Sequence, residues 1–559
     1  MDTDLARLAD EYFRRRMAAD PLTATELGVP GYDAEVPDPS REAEETYLAE
    51  LDRIAAQARA VDPATLGPAE RVTRSVLLRT IGDQRAELAA RLSEVAVTAT
   101  TTGVQTRLFA MVPRAPLTDA ERARDYLERC GKLGGYLEGV LARHLAARAE
   151  GRLPPARGVR QAIAQLDDYL ASDLGEDPLL RPEPPAEVDA DAWRDAAVEV
   201  IATVVRPALS RYRAALASEL LPVARDDGHV GVCHLPGGAA GYAAALRAHT
   251  TTDLTPERIH QTGLDLLDGL REELRDLGGR VLGSDQVAEV LQRLRTDASL
   301  RFDSADEILA AARDALRRAW EAAPDAFRAY DIAPCVVEAI DPAEARDSVL
   351  GYYVPAAADG TRPGIYSVNT YAPHTRPRFE YDALTFHESM PGHHLQFAVA
   401  QRLAGLPELR RFAYVTAYCE GWALYTERLC DELGLYSGDL ERFGMLSFDA
   451  WRACRLVVDT GMHHLAWTRD QAVSFMRDNT ALSQSNIDNE VDRYIAWPGQ
   501  ATAYMVGRLR IRALRERARE RLGPGFDLRA FHDTVLSSGP VPLDTLGDLV
   551  DGWTQTAPR

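Results

Sequence analysis

Lysine is almost missing from this sequence: of 64 basic residues, only Lys132 is not arginine. Against 85 acidic residues the formal balance is −21. No surplus of positive charge exists to neutralise phosphates or an anionic lipid surface, so nucleic acid and membranes are not expected partners. No uninterrupted apolar run reaches the roughly 20 residues that span a bilayer. The first residues, Met1-Asp2-Thr3-Asp4-Leu5-Ala6, lack a basic stretch followed by an apolar one. A secretory signal is therefore not expected, and the cytoplasm is the expected compartment. Cysteine is scarce as well. Cys130, Cys233, Cys335, Cys419, Cys430 and Cys454 are scattered, with no CxxC pair. A chain of 559 residues can bury a large core without cross-links, and these are expected to be reduced core thiols.

What is present is mostly helical periodicity. Residues 1–20, 40–95, 117–150, 190–222 and 255–280 carry apolar positions at helical spacing among Arg and Glu. Thr255-Pro256-Glu257 reads as a helix start, with an N-cap candidate followed by proline in the first turn. The texture changes between about 330 and 375. Cys335–Ile340, Gly351–Pro355 and Gly364–Thr370 are short and β-prone, and the last alternates as a strand should. Residues 380–432 and 440–520 return to helix. The expected fold class is mainly α, with a small β-sheet next to the most informative motif. The expected division is an N-terminal helical half, 1–225, and a half carrying the chemistry, 226–559.

That motif is His387-Glu388-Ser389-Met390-Pro391-Gly392-His393-His394. A catalytic zinc needs about three protein ligands and an open position for water, with a base beside the water. The short solution is HExxH on one helix. Here the second histidine comes two or three residues late. At about 100° per residue His393 would point away from His387 on an ideal helix, and His394 would share its face about 10 Å further along. Either can close a tetrahedral site only if the backbone distorts. Pro391 and Gly392 supply a reason for distortion, since proline lacks the N–H and clashes with the preceding turn, while glycine tolerates unusual dihedrals. His393 is preferred over His394 as the second ligand, and both stay open. The third ligand is expected from a neighbouring helix, Tyr418-Cys419-Glu420-Gly421-Trp422-Ala423-Leu424-Tyr425-Thr426-Glu427, where Glu420 and Glu427 share a face. Glu420 follows His393 by 27 residues, room for a helix end, a turn and a return. Gly421 is expected to leave space beside the ligand.

These motifs resemble the signature of the bacterial group known as domain of unknown function 885, HExxPGHH followed by EGWALYxE. The stretches Arg455…Asp459-Thr460-Gly461-Met462-His463 and Tyr494…Pro498-Gly499-Gln500-Ala501-Thr502-Ala503-Tyr504 also fit, so the resemblance covers most of the chain. That group is in turn similar to helical gluzincin zinc peptidases such as carboxypeptidase Taq and angiotensin-converting enzyme. The likeness implies a metal in a deep groove, one Zn2+ held by His387, His393 and Glu420, and Glu388 as general base. It also implies a late Tyr or His that stabilises the oxyanion, for which Tyr504 and His463 are the candidates.

The remaining side chains are weighed on chemistry. His394 is a candidate substrate contact. The strand Gly364–Thr370 would offer its edge to an extended peptide, with Asn369 and Tyr366 facing the groove. Arg455 and Arg508 could hold a substrate carboxylate, although an ion pair with Asp459 or Glu427 is the favoured reading. Asp459 and Glu427 are expected to accept from the ligand imidazoles. The expected activity is cleavage of short peptides by a zinc-activated water. Two alternatives are an amidohydrolase of a small metabolite and an inactive binding protein. The oligomeric state is left open, a homodimer included.

Overall fold

The computed structural model describes residues 4–328, 330–341, 345, 349–356, 362–403 and 405–557. It is mainly helical, with one small sheet. The chain divides into two units. One comprises Met1–Ala245, Met462–Asp470 and Glu490–Pro498; the other comprises Leu246–Gly461, Gln471–Asn489 and Gly499–Arg559. In the first, Ala120–Ala149 and Ala156–Ala171 bury the apolar face that their periodicity predicts, with Tyr126, Leu133, Leu166, Trp193 and Tyr212 in its core. Polar atoms in that core are matched: the Trp193 indole donates to the Ala123 carbonyl, and the Tyr126 hydroxyl to that of Leu179. The 40–95 stretch is two helices rather than one, Arg41–Ala60 and Pro68–Ala90, because Asp62-Pro63 and Gly67-Pro68 interrupt it.

The second unit carries the motif. Thr255 caps the helix Pro256–Val281 as its sequence predicts, its side chain accepting from the Arg258 N–H. The sheet comprises β1 (Cys335–Ala339), β2 (Gly351–Val354) and β3 (Gly364–Val368), in the order β1-β3-β2. β3 pairs in parallel with β1 and antiparallel with β2. It is therefore the central strand, and the expectation that it lends an edge to a peptide is corrected: both its backbone edges are already paired. Tyr366 is fully buried, and burial holds its phenol well above the usual range. Asn369 is buried too, its amide donating to the carbonyls of Ala345 and Val349 while its oxygen accepts from the Tyr371 N–H. It ties down the chain after β3 and is spent on that task. In the same unit, the helices Thr416–Glu432 and Ala503–Leu522 pack backbone to backbone. A Cβ on Gly421 would lie 2.5 Å from Gly507 Cα, and one on Gly507 only 1.8 Å from the Ala417 carbonyl oxygen. Gly421 thus makes room for a neighbouring helix, not for a ligand. All six cysteines are free, and no described helix is long and apolar enough to cross a membrane.

Candidate metal centre

The stretched motif does not kink one helix; it ends one and starts another. Tyr381–Glu388 stops at Ser389, whose φ of −111° and ψ of −117° leave the helical region. The next helix, His393–Gln401, begins after Gly392 at φ −76° and ψ −125°. Between them the chain folds back onto the helix it has just left. A Cβ on Gly392 would sit 2.0 Å from the His387 carbonyl oxygen and 2.4 Å from that of Phe386. Glycine is therefore the residue that this return requires. The Trp422 indole secures the turn by donating to the Pro391 carbonyl at 3.0 Å.

This return brings His393 beside His387. The two rings lie 4.9 Å apart, close to perpendicular. Glu420 reaches both from the helix Thr416–Glu432: its Oε2 is 3.7 Å from His387 Nε2 and 3.6 Å from His393 Nε2. One ligand atom from each of the three lies within 4.8 Å of the others, and all three side chains are buried. Donors about 2.1 Å from a tetrahedral zinc stand about 3.4 Å from one another, so two imidazoles and a carboxylate at these spacings fit a divalent ion. His387 Nδ1 donates to Glu427 Oε1 at 2.8 Å, which leaves Nε2 as the free lone pair turned towards Glu420. Tyr414, half exposed, turns its hydroxyl inwards to donate to Glu420 Oε1 at 2.7 Å. Tyr414 was not foreseen: it lies in the loop before the helix, where no periodicity links it to Glu420.

Electrostatics in the cluster are those of a site arranged around positive charge. Burial works to lower the His387 pKa, but hydrogen bonding to Glu420 and Glu427 outweighs it and lifts the group to about 9. Burial works to raise Glu420, and the two histidines overcome it, holding the carboxyl well below its usual range. Without a metal, protons would take its place between these groups. Glu388 differs. Burial raises its pKa, with the neighbouring imidazoles pulling the other way. Among the described residues its carboxylate has no hydrogen-bond partner.

The other expected residues fall in different places. His394 lies off the cluster: its Nε2 donates to the Ala333 carbonyl at 2.9 Å and its Nδ1 accepts from the Tyr353 hydroxyl at 3.0 Å, in space that only a glycine at 364 leaves open. Both nitrogens are occupied, so its expected contact with substrate is replaced by a bracing role against the sheet. His463 belongs to the first unit. Its Nδ1 accepts from the Val232 N–H and its Nε2 donates to the Tyr494 carbonyl, and burial lowers its pKa to about 4. With no ring nitrogen left, it is a neutral bridge rather than an oxyanion donor. Arg508 is buried against Asp449, which Arg428 also binds at 2.6 Å. Arg508 is thus in an ion pair, the reading its sequence favours, but with Asp449 in place of Asp459 or Glu427. Asp459 receives the Gly499 N–H on both oxygens instead of a ligand imidazole. Tyr504 is half-buried under the Arg455 guanidinium, 4.3 Å from its ring centre. It stands near enough to Tyr414 and Arg452 to interact electrostatically with both. Along the His393 side runs an aromatic row: Phe397 is 5.8 Å from the His393 ring and stacks between Tyr353 and Tyr414.

Comparison with known proteins places the chain in a family and beside two solved structures of similar fold. The family model described as "Bacterial protein of unknown function (DUF885)" matches residues 21–550. The crystal structure of a candidate lipoprotein from Colwellia psychrerythraea is 29% identical, with a TM-score of 0.91, over 99% of this chain and 98% of that one. A candidate lipoprotein of unknown function from Shewanella oneidensis shares the fold at 17% identity and a TM-score of 0.77, over 98% of this chain and 99% of that one. A search of curated proteins found no match.

Proposed function

The chain belongs to this bacterial family of unknown function, and from that premise we propose that it is a zinc-dependent metallohydrolase cleaving amide bonds of short peptides. One observation carries the reading: His387, His393 and Glu420 converge to within 4.8 Å, with the Glu388 carboxylate close enough for all three to act on it. When bound, zinc supplies Lewis acidity that polarises the scissile carbonyl and makes water acidic near neutral pH. The chain's own groups do the rest. Glu388 takes the proton of the attacking water and delivers it to the leaving amine, and its buried setting keeps its basicity above that of a surface carboxylate. Glu427 holds His387 in the tautomer whose Nε2 faces the cluster. Tyr504 is the candidate donor to the developing oxyanion, with Tyr414 donating to Glu420 and His463 withdrawn from that role. The aromatic row through Phe397 offers an apolar wall for a substrate side chain.

The likeness to helical gluzincins supports the same reading through its HExxPGHH and EGWALYxE stretches. The name of the Colwellia relative, a candidate lipoprotein, weighs against the cytoplasmic location expected from the first residues, and a location outside the cytoplasm is part of this proposal. The test is direct. Purified protein is expected to hold one zinc per chain and to cleave short peptides, and Glu388→Gln to keep the zinc while losing at least about 100-fold in turnover. Protein without stoichiometric zinc, or an unimpaired Glu388→Gln variant, would sink the reading.

A further inference from the structure

Arg452 is a buried cation with its donors unspent. It lies on the helix Asp439–His463 and is 5% exposed. Its guanidinium carbon is 4.4 Å from the centre of the Phe448 ring and 4.3 Å from that of Trp451, so two aromatic faces hold it in place. Nε and Nη1 are buried with no hydrogen-bond partner, and among the described residues Arg452 makes no ion pair. Three other buried arginines of this unit do have an anion or a carbonyl: Arg508 has Asp449, Arg515 has Glu432, and Arg410 has the Ser538 carbonyl. Burying charged donors without partners is costly, and a guanidinium remains charged at any pH the protein meets.

Its surroundings are those of the candidate centre. The Arg452 charge acts on Glu388 and is itself acted on by Glu427, by the like charge of Arg455, and by Tyr504 and Glu420. None of these carboxylates approaches within ion-pair distance of it. Glu420 and Glu427 are committed to the two imidazoles. Glu380, also in range, accepts from the Ser447 hydroxyl, and burial raises its pKa to about 7, so it is a poor counter-ion near neutrality. Distant charge eases the electrostatic cost but satisfies no N–H. A planar group with two oxygens would meet the guanidinium fork directly.

We propose that Arg452 anchors a carboxylate of the substrate, so that the protein acts on short peptides or amides carrying a free carboxylate close to the bond that is cut. The inference rests on the hydrolase reading and narrows it to a substrate class. A carboxylate can come from the C-terminus or from an acidic side chain, and three probes separate them: trialanine, its C-terminal amide, and alanyl-glutamyl-alanine amide. Turnover is measured on the zinc-loaded full chain, and equilibrium binding by calorimetry on Glu388→Gln. Trialanine amide is expected to lose about 10- to 100-fold in kcat/KM and in affinity relative to trialanine. Recovery with the glutamyl amide assigns the anchor to a side chain; continued weakness assigns it to the C-terminus. Arg452→Gln is expected to lower trialanine to the level of its amide with zinc content unchanged. Arg452→Lys, which keeps charge but not the fork, should fall between. Should Arg452→Gln fail to fold, the acid and amide comparison on the wild-type chain still decides. Equal binding of acid and amide, or a preference that survives Arg452→Gln, overturns the inference while any turnover leaves the hydrolase reading standing. A binding preference without turnover of any probe does the reverse.

Discussion

At the scale of single residues, the decisive feature is how few side chains in this region retain free chemistry. His387 gives Nδ1 to Glu427 and keeps Nε2. His394, one residue from a candidate ligand, has neither nitrogen to give. The sequence favours His393 over His394 without closing the choice, because that depends on which way the chain leaves Gly392. The Glu427 contact makes a testable case. Glu427→Gln keeps the shape but replaces a charged acceptor with a neutral amide that can turn a donor to His387. Zinc affinity, measured by competition with a chromophoric chelator, is expected to fall about 10- to 100-fold. An unchanged affinity would mean that the tautomer of His387 is set by something else. Glu420 and Glu388 were legible from their neighbours in sequence; Tyr414 and Arg452 were not, since a phenol in a loop and one arginine among many carry no local signal.

At the scale of elements, the break between Tyr381–Glu388 and His393–Gln401 and the contact between Thr416–Glu432 and Ala503–Leu522 together set the cluster. Proline and glycine at 391 and 392 announced a distortion, and the distortion proved to be a complete stop and restart. The helix contact left a weaker trace. Gly421 stands beside Glu420 in the sequence, and its use became visible only when Gly507 appeared opposite it. Gly507→Ala would place a methyl 1.8 Å from the Ala417 carbonyl oxygen and 2.8 Å from Gly421 Cα. The helices must separate, at a cost of at least about 2 kcal/mol, and Glu420 moves with them. Thermal melts are expected to show a lower Tm, and zinc titration a weaker site. A variant as stable as the parent and equally tight for zinc would show that the close approach is dispensable. The sheet gives the opposite lesson. Its three strands were legible as short alternating runs, but their order was not, and the order put Gly364–Val368 in the middle where no peptide can pair.

At the scale of the whole molecule, buried neutral histidines tie stability to pH. His532 donates from Nδ1 to the Ala326 carbonyl and accepts at Nε2 from the Tyr425 hydroxyl, and burial lowers its pKa to about 3. His463 is lowered to about 4 in the same way. For a base depressed on folding, the unfolded chain binds the proton first, so stability falls as pH drops below about 6.5 towards those values. Glu380, raised to about 7, acts with the opposite sign, losing stability as pH rises from the ordinary carboxylate range. The histidine contribution is isolated by a variant: His532→Gln is expected to lower Tm at pH 7 but to lose less further Tm between pH 6.5 and 4 than the parent. Parallel acid limbs would remove His532 from the account.

The sequence by itself determined the helical class, the small sheet before the motif, and the candidate residues His387, His393 and Glu420 that the fold brings together, because periodicity and residue chemistry are local properties. Tertiary structure alone decided that His393 and not His394 joins His387 and Glu420, that among the described residues Arg508 is paired while Arg452 is not, and that His463 and Asn369 are structural. Those outcomes depend on what each polar atom meets across tens or hundreds of residues, and a buried donor or acceptor is free for function only when no such partner takes it.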